Sequence, residues 1–284
     1  MKLSPLTLTT ALTLAAGSAF AAGHAGNAGY ALTNDGNTLV VMTNIANPAE
    51  VQTFDLSTNI DAIAWRPVTG ELIGYTNEGI FKINALTGEL TNLGATFMDG
   101  AMIGDDAVVA FDFNNKIDAV RAVSSEGDNL VYFPTGFGNG DEKADSVRRF
   151  TDLAYAAGDI SEGADPLVFA NAYTNAINGM TAGGTFQYAL DARANALISL
   201  ANNEGTLATI GLVKIDGEAA DITPWGGFDI ISPTEGEDQA YAILQLDGDD
   251  TAGLYAVDLE TGDATLLSDL GMGGITSFAV SMGM

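Results

Sequence analysis

Five short segments of this chain carry one pattern: an apolar residue, then Ala or Asp, then another apolar residue. They are Ile63-Ala64-Trp65, Phe111-Asp112-Phe113, Leu153-Ala154-Tyr155, Phe228-Asp229-Ile230 and Phe278-Ala279-Val280. Successive copies stand roughly 42 to 75 residues apart, and the step from the last copy round to the first is of the same order. A period of this size, filled with short strands, is the signature of a circular array of small sheets. Helical periodicity is almost absent. Short strand-like runs alternate with clusters of Gly, Asn, Asp and Pro.

The best-preserved repeat sets GIFKINALTGELTNLG, from Gly79, against GLYAVDLETGDATLL, from Gly253. Phe81 matches Tyr255, Ile83 matches Val257, and Thr87-Gly88-Glu89 matches Thr261-Gly262-Asp263. Each copy has the form strand, tight Thr-Gly turn, strand, and the Gly supplies the positive φ such a turn needs. One whole unit runs IDAIAWRP, ELIGYT, GIFKINA, ELTNLG, an antiparallel blade over about residues 60–94. Further blades are expected near 107–150, 151–211 and 225–271, the second with a long insertion around Gly158 to Asp165. The last is shared between the termini: ITSFAV joins YALTND, TLVVMT and VQTFDL. The expected fold is all-β, a five-bladed β-propeller with four-stranded antiparallel blades. Closure by N- and C-terminal strands in one blade protects strand edges. An open β-sandwich or solenoid is the competing architecture.

The opening segment MKLSPLTLTTALTLAAGSAFA has the form of a signal peptide. Lys2 supplies the positive end, the apolar run is too short to span a bilayer, and Ala19-Phe20-Ala21 fits a small-x-small cleavage site. The expected division is a leader over 1–21, a flexible segment over 22–29 and one propeller domain over 30–284. An exported product, periplasmic or extracellular and without a transmembrane segment, follows. The chain has no Cys, which excludes thiolate zinc sites and Cys nucleophiles. Its net charge is −27, and removing the leader takes away Lys2 and no acid. Such a field repels nucleic acid and anionic lipid, favours solubility and attracts divalent cations.

Several segments resemble the exported bacterial family known as the domain of unknown function DUF4394. They are WRPVTGELIGYT, FDFNNKIDAVRAVSSEGDNLVYF, ANAYTNAINGMTAGGTFQYALD, NNEGTLATIG, GFDI and GLYAVDLETGDATLL. The second is the most specific, where the family reads approximately FDFNPxxDRIRVVSxxGxNLR. Asp112, Asn114, Asp118, Arg121, Ser124, Gly127, Asn129 and Leu130 stand at matching places. Asn115, Ala119 and Val131 depart from it, so two basic residues are missing. The resemblance implies a propeller-like exported protein and brings no activity, substrate or catalytic residues.

The only His is His24, just past the expected cleavage point, so a His-based triad or a His-bound metal inside the fold is not expected. Asp112 and Asp229 occupy the repeat position where the other three copies have Ala. They suit either axial acid–base or cation chemistry, or acceptance of backbone N–H groups from a neighbouring loop that fixes blade to blade, which is the simpler account. Asn114, Asp118 and Arg121 form a second group: an Asp–Arg pair, or an Arg bonded to carbonyls, or a ligand contact at one mouth of the ring. Asn171, Tyr173 and Asn175 alternate along one strand face, suited to a sugar or peptide or to an interblade seam. Trp65 and Trp225 suit stacking on sugars or packing. Asp247, Asp249 and Asp250 crowd one hairpin loop without the spacing of an EF-hand.

The expected role is an acidic binding or interaction module for an unknown small molecule, glycan or protein. No cofactor is called for and no metal is assigned. The alternatives are a carboxylate-based hydrolase acting on extracellular carbohydrate, an account that rests on fold analogy, and a structural cell-surface or matrix component.

Overall fold

Runs of alternating apolar residues separated by tight turns pair most readily with their immediate neighbours, and here they fold mainly into consecutive antiparallel meanders. The computed structural model describes residues 26–48 and 50–283. The leader, its cleavage site and His24 lie outside them. Five sheets of four to six strands form a five-bladed propeller. No described helix is long and apolar enough to cross a membrane.

Blade 1 is the closure blade, ordered from the axis outward as Ser277–Ser281, Ala28–Thr33, Thr38–Met42 and Val51–Asp55. Blade 2 follows with Ala62–Arg66, Glu71–Thr76, Gly79–Ile83 and Leu90–Asn92. The inner strands of blades 3, 4 and 5 are Val109–Asn114, Val168–Tyr173 and Ile222–Ile231. The matched turns are alike in detail. Asn84 Oδ1 accepts from Leu86 N–H and its carbonyl from Gly88 N–H, as Asp258 does from Glu260 and Gly262. Gly88 and Gly262 sit at φ 73° and 83°, conformations that side chains resist.

Three blades exceed the expected four strands. Before diving to the axis, the chain runs along the outer edge of the next blade and pairs there in parallel. Thr96–Phe97 does so on blade 3, Ala154–Tyr155 on blade 4 and Lys214–Ile215 on blade 5. These additions cover edges that would otherwise be unpaired. They also correct one expectation. Leu153-Ala154-Tyr155 is not an inner strand: Ala154 and Tyr155 pair with Thr206 and Leu207 at the rim of blade 4. The inner strand of that blade comes after the insertion, and its triplet is Asn171-Ala172-Tyr173.

Side-chain alternation explains the triplet. Its flanking residues face the preceding blade: Ile63 and Trp65 pack against blade 1, Phe111 and Phe113 against blade 2, Phe228 and Ile230 against blade 4, Phe278 and Val280 against blade 5. The middle residue faces the following blade, as Ala64, Ala172 and Ala279 do. The core is therefore a ring of seams between blades; three of the five are filled by one large apolar pair and one Ala, while Asp112 and Asp229 stand in place of the Ala in the other two.

Candidate functional site

Asp112 and Asp229 hold the middle position in blades 3 and 5, and both are buried. Tyr173 N–H, in the inner strand of blade 4, donates to Asp112 Oδ2 at 2.6 Å. Val280 N–H, in the inner strand of blade 1, donates to Asp229 Oδ2 at 2.6 Å, and Ile230 N–H to Asp229 Oδ1 at 2.7 Å. Each carboxyl thus ties its blade to the next, with donors from strands rather than loops. Burial raises both groups. Asp112 stands well above the ordinary carboxylate range, raised further by Asp229, and Asp229 is pushed up to about 7.

Asn171 breaks the apolar ring. It stands where the other blades have Ile63, Phe111, Phe228 and Phe278, is 1% exposed, and neither amide atom has a hydrogen-bond partner. The axial cavity beside it is about 10 Å³, room for one water at most. An orphaned buried amide is costly, so Asn171→Leu is expected to stabilise the protein by about 1–2 kcal/mol in urea unfolding. A loss of stability instead would mean that a bound water or another partner satisfies the amide.

Arg121 lies opposite Asp112 in the strand register and is 4% exposed. Its partners are neutral. Nε donates to Tyr173 Oη at 2.9 Å, one Nη to Asn129 Oδ1 and the other to Asn203 Oδ1 at 2.8 Å, with the Phe150 ring 5.8 Å away. Tyr173 Oη donates in turn to Asn202 Oδ1. Asp112, Arg121, Asn171 and Tyr173 therefore share the seam of blades 3 and 4. The amides Asn129, Asn202 and Asn203 complete it, though none had been singled out as a site residue.

Asn114, Asp118 and Asn175 go elsewhere. Asp118 pairs with Arg66 of blade 2, Nε to Oδ1 at 2.8 Å, and not with Arg121. Asn114 Oδ1 accepts from the Thr185 hydroxyl at 3.0 Å. Asn175 lies past the strand end, at φ 60°, and ties two loops through Gly184 O and Gly236 N–H. Trp65 is buried with Tyr30 stacked on it, ring centroids 5.5 Å apart. Asp247, Asp249 and Asp250 stay in a hairpin turn, and no cluster of three or more metal-ligating side chains occurs among the described residues.

The open site lies at the end of the ring where the inner strands begin. A cavity of about 330 Å³ is lined there from four blades. Blade 1 gives Asp35 and Thr276, and the approach to blade 2 gives Asn59, Ile60 and Asp61. The approach to blade 3 gives Asp105 and Asp106, and blade 5 gives Pro224 and Trp225. Trp225 is 40% exposed. Asn59 Nδ2 donates to the Asp35 carbonyl at 3.0 Å, which joins blades 1 and 2 at the rim. Burial raises the Asp61 carboxyl to about 6; the Asn77 N–H opposes this and Asp105 adds to it. The Thr276 hydroxyl has no partner. The position of these acids was visible in the sequence, since Asp61 and the pair Asp105-Asp106 come just before inner strands. What was hidden is that the ring brings them together. The arrangement supplies concentrated negative charge beside one accessible aromatic face.

The family profile described as "Domain of unknown function (DUF4394)" matches residues 38–279. No curated protein matches the chain. Among solved structures, a protein of unknown function from Bacteroides thetaiotaomicron is similar at 14% identity and TM-score 0.46, over 89% of this chain and 56% of that one. This chain thus spans little more than half of that protein. A chain of a nidogen/laminin complex is similar at 11% identity and TM-score 0.46, over 91% and 99% of the two chains. A calcium-binding protein, regucalcin, from Agrobacterium tumefaciens is similar at 14% identity and TM-score 0.41, over 83% and 68%. Likenesses this distant say nothing about a ligand.

Proposed function

Because this chain belongs to the DUF4394 family, a domain of unknown function, we propose its role from its own geometry: it is an exported binding module whose ligand seat is the acidic axial mouth. The ligand is an organic cation, an amine or guanidinium on a sugar or apolar body. One observation carries this. Loops of blades 1, 2 and 3 bring Asp35, Asp61, Asp105 and Asp106, and the inner strand of blade 5 brings an exposed Trp225, to a single cavity. Carboxylates in a cleft attract cations, and the face of an indole adds to that attraction. Export is supported by the leader-like residues 1–21. The filled axis around Asp112 and Asp229 favours binding over chemistry there.

Calorimetry with glucosamine oligomers, their N-acetylated forms and Lys/Arg peptides tests this. Amine-bearing ligands are expected to bind, more tightly as the pH rises through about 6 and Asp61 ionises. Trp225→Ala and Asp61→Asn should each weaken binding roughly tenfold, about 1.4 kcal/mol. Equal binding of neutral ligands, or no effect of either substitution, would sink the assignment.

One observation favours a second account, the hydrolase. Asp61, held up to about 6 in a cleft beside Asp105, has the protonation behaviour of a general acid. It requires turnover of a bound oligosaccharide that Asp61→Asn abolishes while binding persists.

A further inference from the structure

The acidic mouth is built from separate loops, and one side chain joins two of them. Asp61 lies on the approach to the inner strand of blade 2, and Asp105 on the approach to that of blade 3. Both are open to solvent, so a ligand can touch them. Asp105 and Asp106 form the centre of a tight turn in which the Gly104 carbonyl accepts from Ala107 N–H at 3.1 Å. That turn is held from two sides. On its own blade, Ser125 Oγ accepts from Val108 N–H at 2.9 Å. From blade 2, Asn77, in the hairpin that follows Glu71–Thr76, grips the Ile103 backbone through both its polar groups. Nδ2 donates to the Ile103 carbonyl at 2.8 Å, and Oδ1 accepts from the Ile103 N–H at 3.0 Å. Ile103 is buried in the seam of blades 2 and 3, so this grip fixes the root of the turn. The backbone N–H of the same Asn77 donates to the Asp61 carboxyl. Asn77 therefore holds one acid directly and the other through Ile103. Its own backbone is not left-handed, so the hairpin does not demand Asn there, and the side-chain contacts account for the residue.

We propose that Asn77 is a positioning residue of the mouth: it fixes the spacing of Asp61 and Asp105, so that the two carboxylates meet one cationic head of the ligand as a pair. This rests on the mouth being the ligand seat. A pair already held in place has little ordering left to lose when the ligand arrives. The charged groups facing Asp61 are Asp35 from blade 1 and Asp105 and Asp106 from the approach to blade 3, and none of the described residues lining the cavity is basic. The Tyr75 hydroxyl, held up by burial, by Asp61 and by Asp128, is the remaining titratable neighbour. Asp105 helps to raise Asp61, so the repulsion between the two carboxylates reports their spacing.

A cycle of substitutions reads that spacing. The titration of Asp61 is followed by NMR on the ligand-free protein at low salt, where screening is weak, and binding of the glucosamine dimer by calorimetry. Asp105→Asn is expected to move the Asp61 midpoint down from about 6 in the parent, and to leave the midpoint unmoved in an Asn77→Ala background. Asn77→Ala is also expected to weaken the dimer roughly tenfold, and to make the losses from Asp61→Asn and Asp105→Asn additive where in the parent they are coupled. Tyr75→Phe controls for general loosening. It removes the hydroxyl that donates to Asn77 Oδ1 at 2.9 Å and leaves both bonds to Ile103, so it should lower Tm while the coupling persists. Asn77→Ser, also too short to grip Ile103, serves where Asn77→Ala fails to fold. Coupling that survives loss of the Asn77 side chain would overturn the proposal, as would an equal loss of coupling in Tyr75→Phe. A parent that binds no glucosamine dimer removes the mouth as the seat and this proposal with it, whereas binding without the coupled pattern removes this proposal alone.

Discussion

A chain cut before Ile275 is expected to lose its cooperative thermal transition. The strand Ser277–Ser281 is the inner strand of blade 1, although the other three strands of that blade come from the opposite end of the sequence. It pairs with Ala28–Thr33 over five residues, from Ala28↔Ser281 to Leu32↔Ser277. Phe278 and Val280 fill the seam to blade 5, Ser277 Oγ accepts from Ile63 N–H at 3.0 Å, and Val280 N–H satisfies Asp229. Losing one such Phe costs about 3–5 kcal/mol, while a domain has only about 5–15 kcal/mol in total. Calorimetry with near-UV circular dichroism reads the outcome, and an unchanged melting temperature would refute closure as a source of stability. Shorter cuts grade the effect. Removing residues 282–284 should matter little. A cut before Ser281 looks harmless from sequence, but Ser281 is buried and hydrogen-bonded to Tyr30 Oη at 3.2 Å. That cut should cost about 1–2 kcal/mol.

Stability is also expected to fall as pH rises from about 4 to about 7, the reverse of ordinary acid denaturation. A carboxyl whose folded value is raised holds its proton where the unfolded chain has released it. Over that interval the native state binds more protons than the unfolded state, so each rise in pH favours unfolding. Asp229, moved from 3.8 to about 7, would by itself contribute a loss of roughly 3–5 kcal/mol across this window. Asp112 acts in the same direction. Glu71 opposes at the acid end: burial works upward there, but Lys82 and Thr69 donate to it and hold it below the ordinary range. Maximum stability should therefore lie near pH 4–5. Asp229→Asn removes one source of the slope but turns an N–H toward a backbone donor. It should be less stable than the parent by about 1–2 kcal/mol at pH 5, with the gap closing or reversing by pH 8. Asp112→Ala leaves Tyr173 N–H unpaired and should cost about 1–3 kcal/mol. Urea unfolding from pH 4 to pH 8 provides the comparison, and a parent profile that rises with pH would contradict it.

The sequence by itself determined the array. Alternation of period two, the Thr-Gly turns and the recurring triplets are local signals, and neighbouring runs have little choice but to pair as meanders. It also determined the closure, because a ring of seams leaves ITSFAV and YALTND no other partners that bury their apolar faces. Tertiary structure decided what a triplet cannot announce about itself. Ala154-Tyr155 carries the inner-strand pattern yet pairs at a rim, while the true inner triplet begins with the polar Asn171. Residue type reports that a side chain is buried, not which neighbour buries it. Asp118 paired with Arg66 rather than Arg121 for the same reason, since the partner lies one blade away. The acidic mouth was decided last and wholly by the ring. Asp35, Asp61 and Asp105 stand far apart along the chain, and only the convergence of loops at the axis brings their charges together.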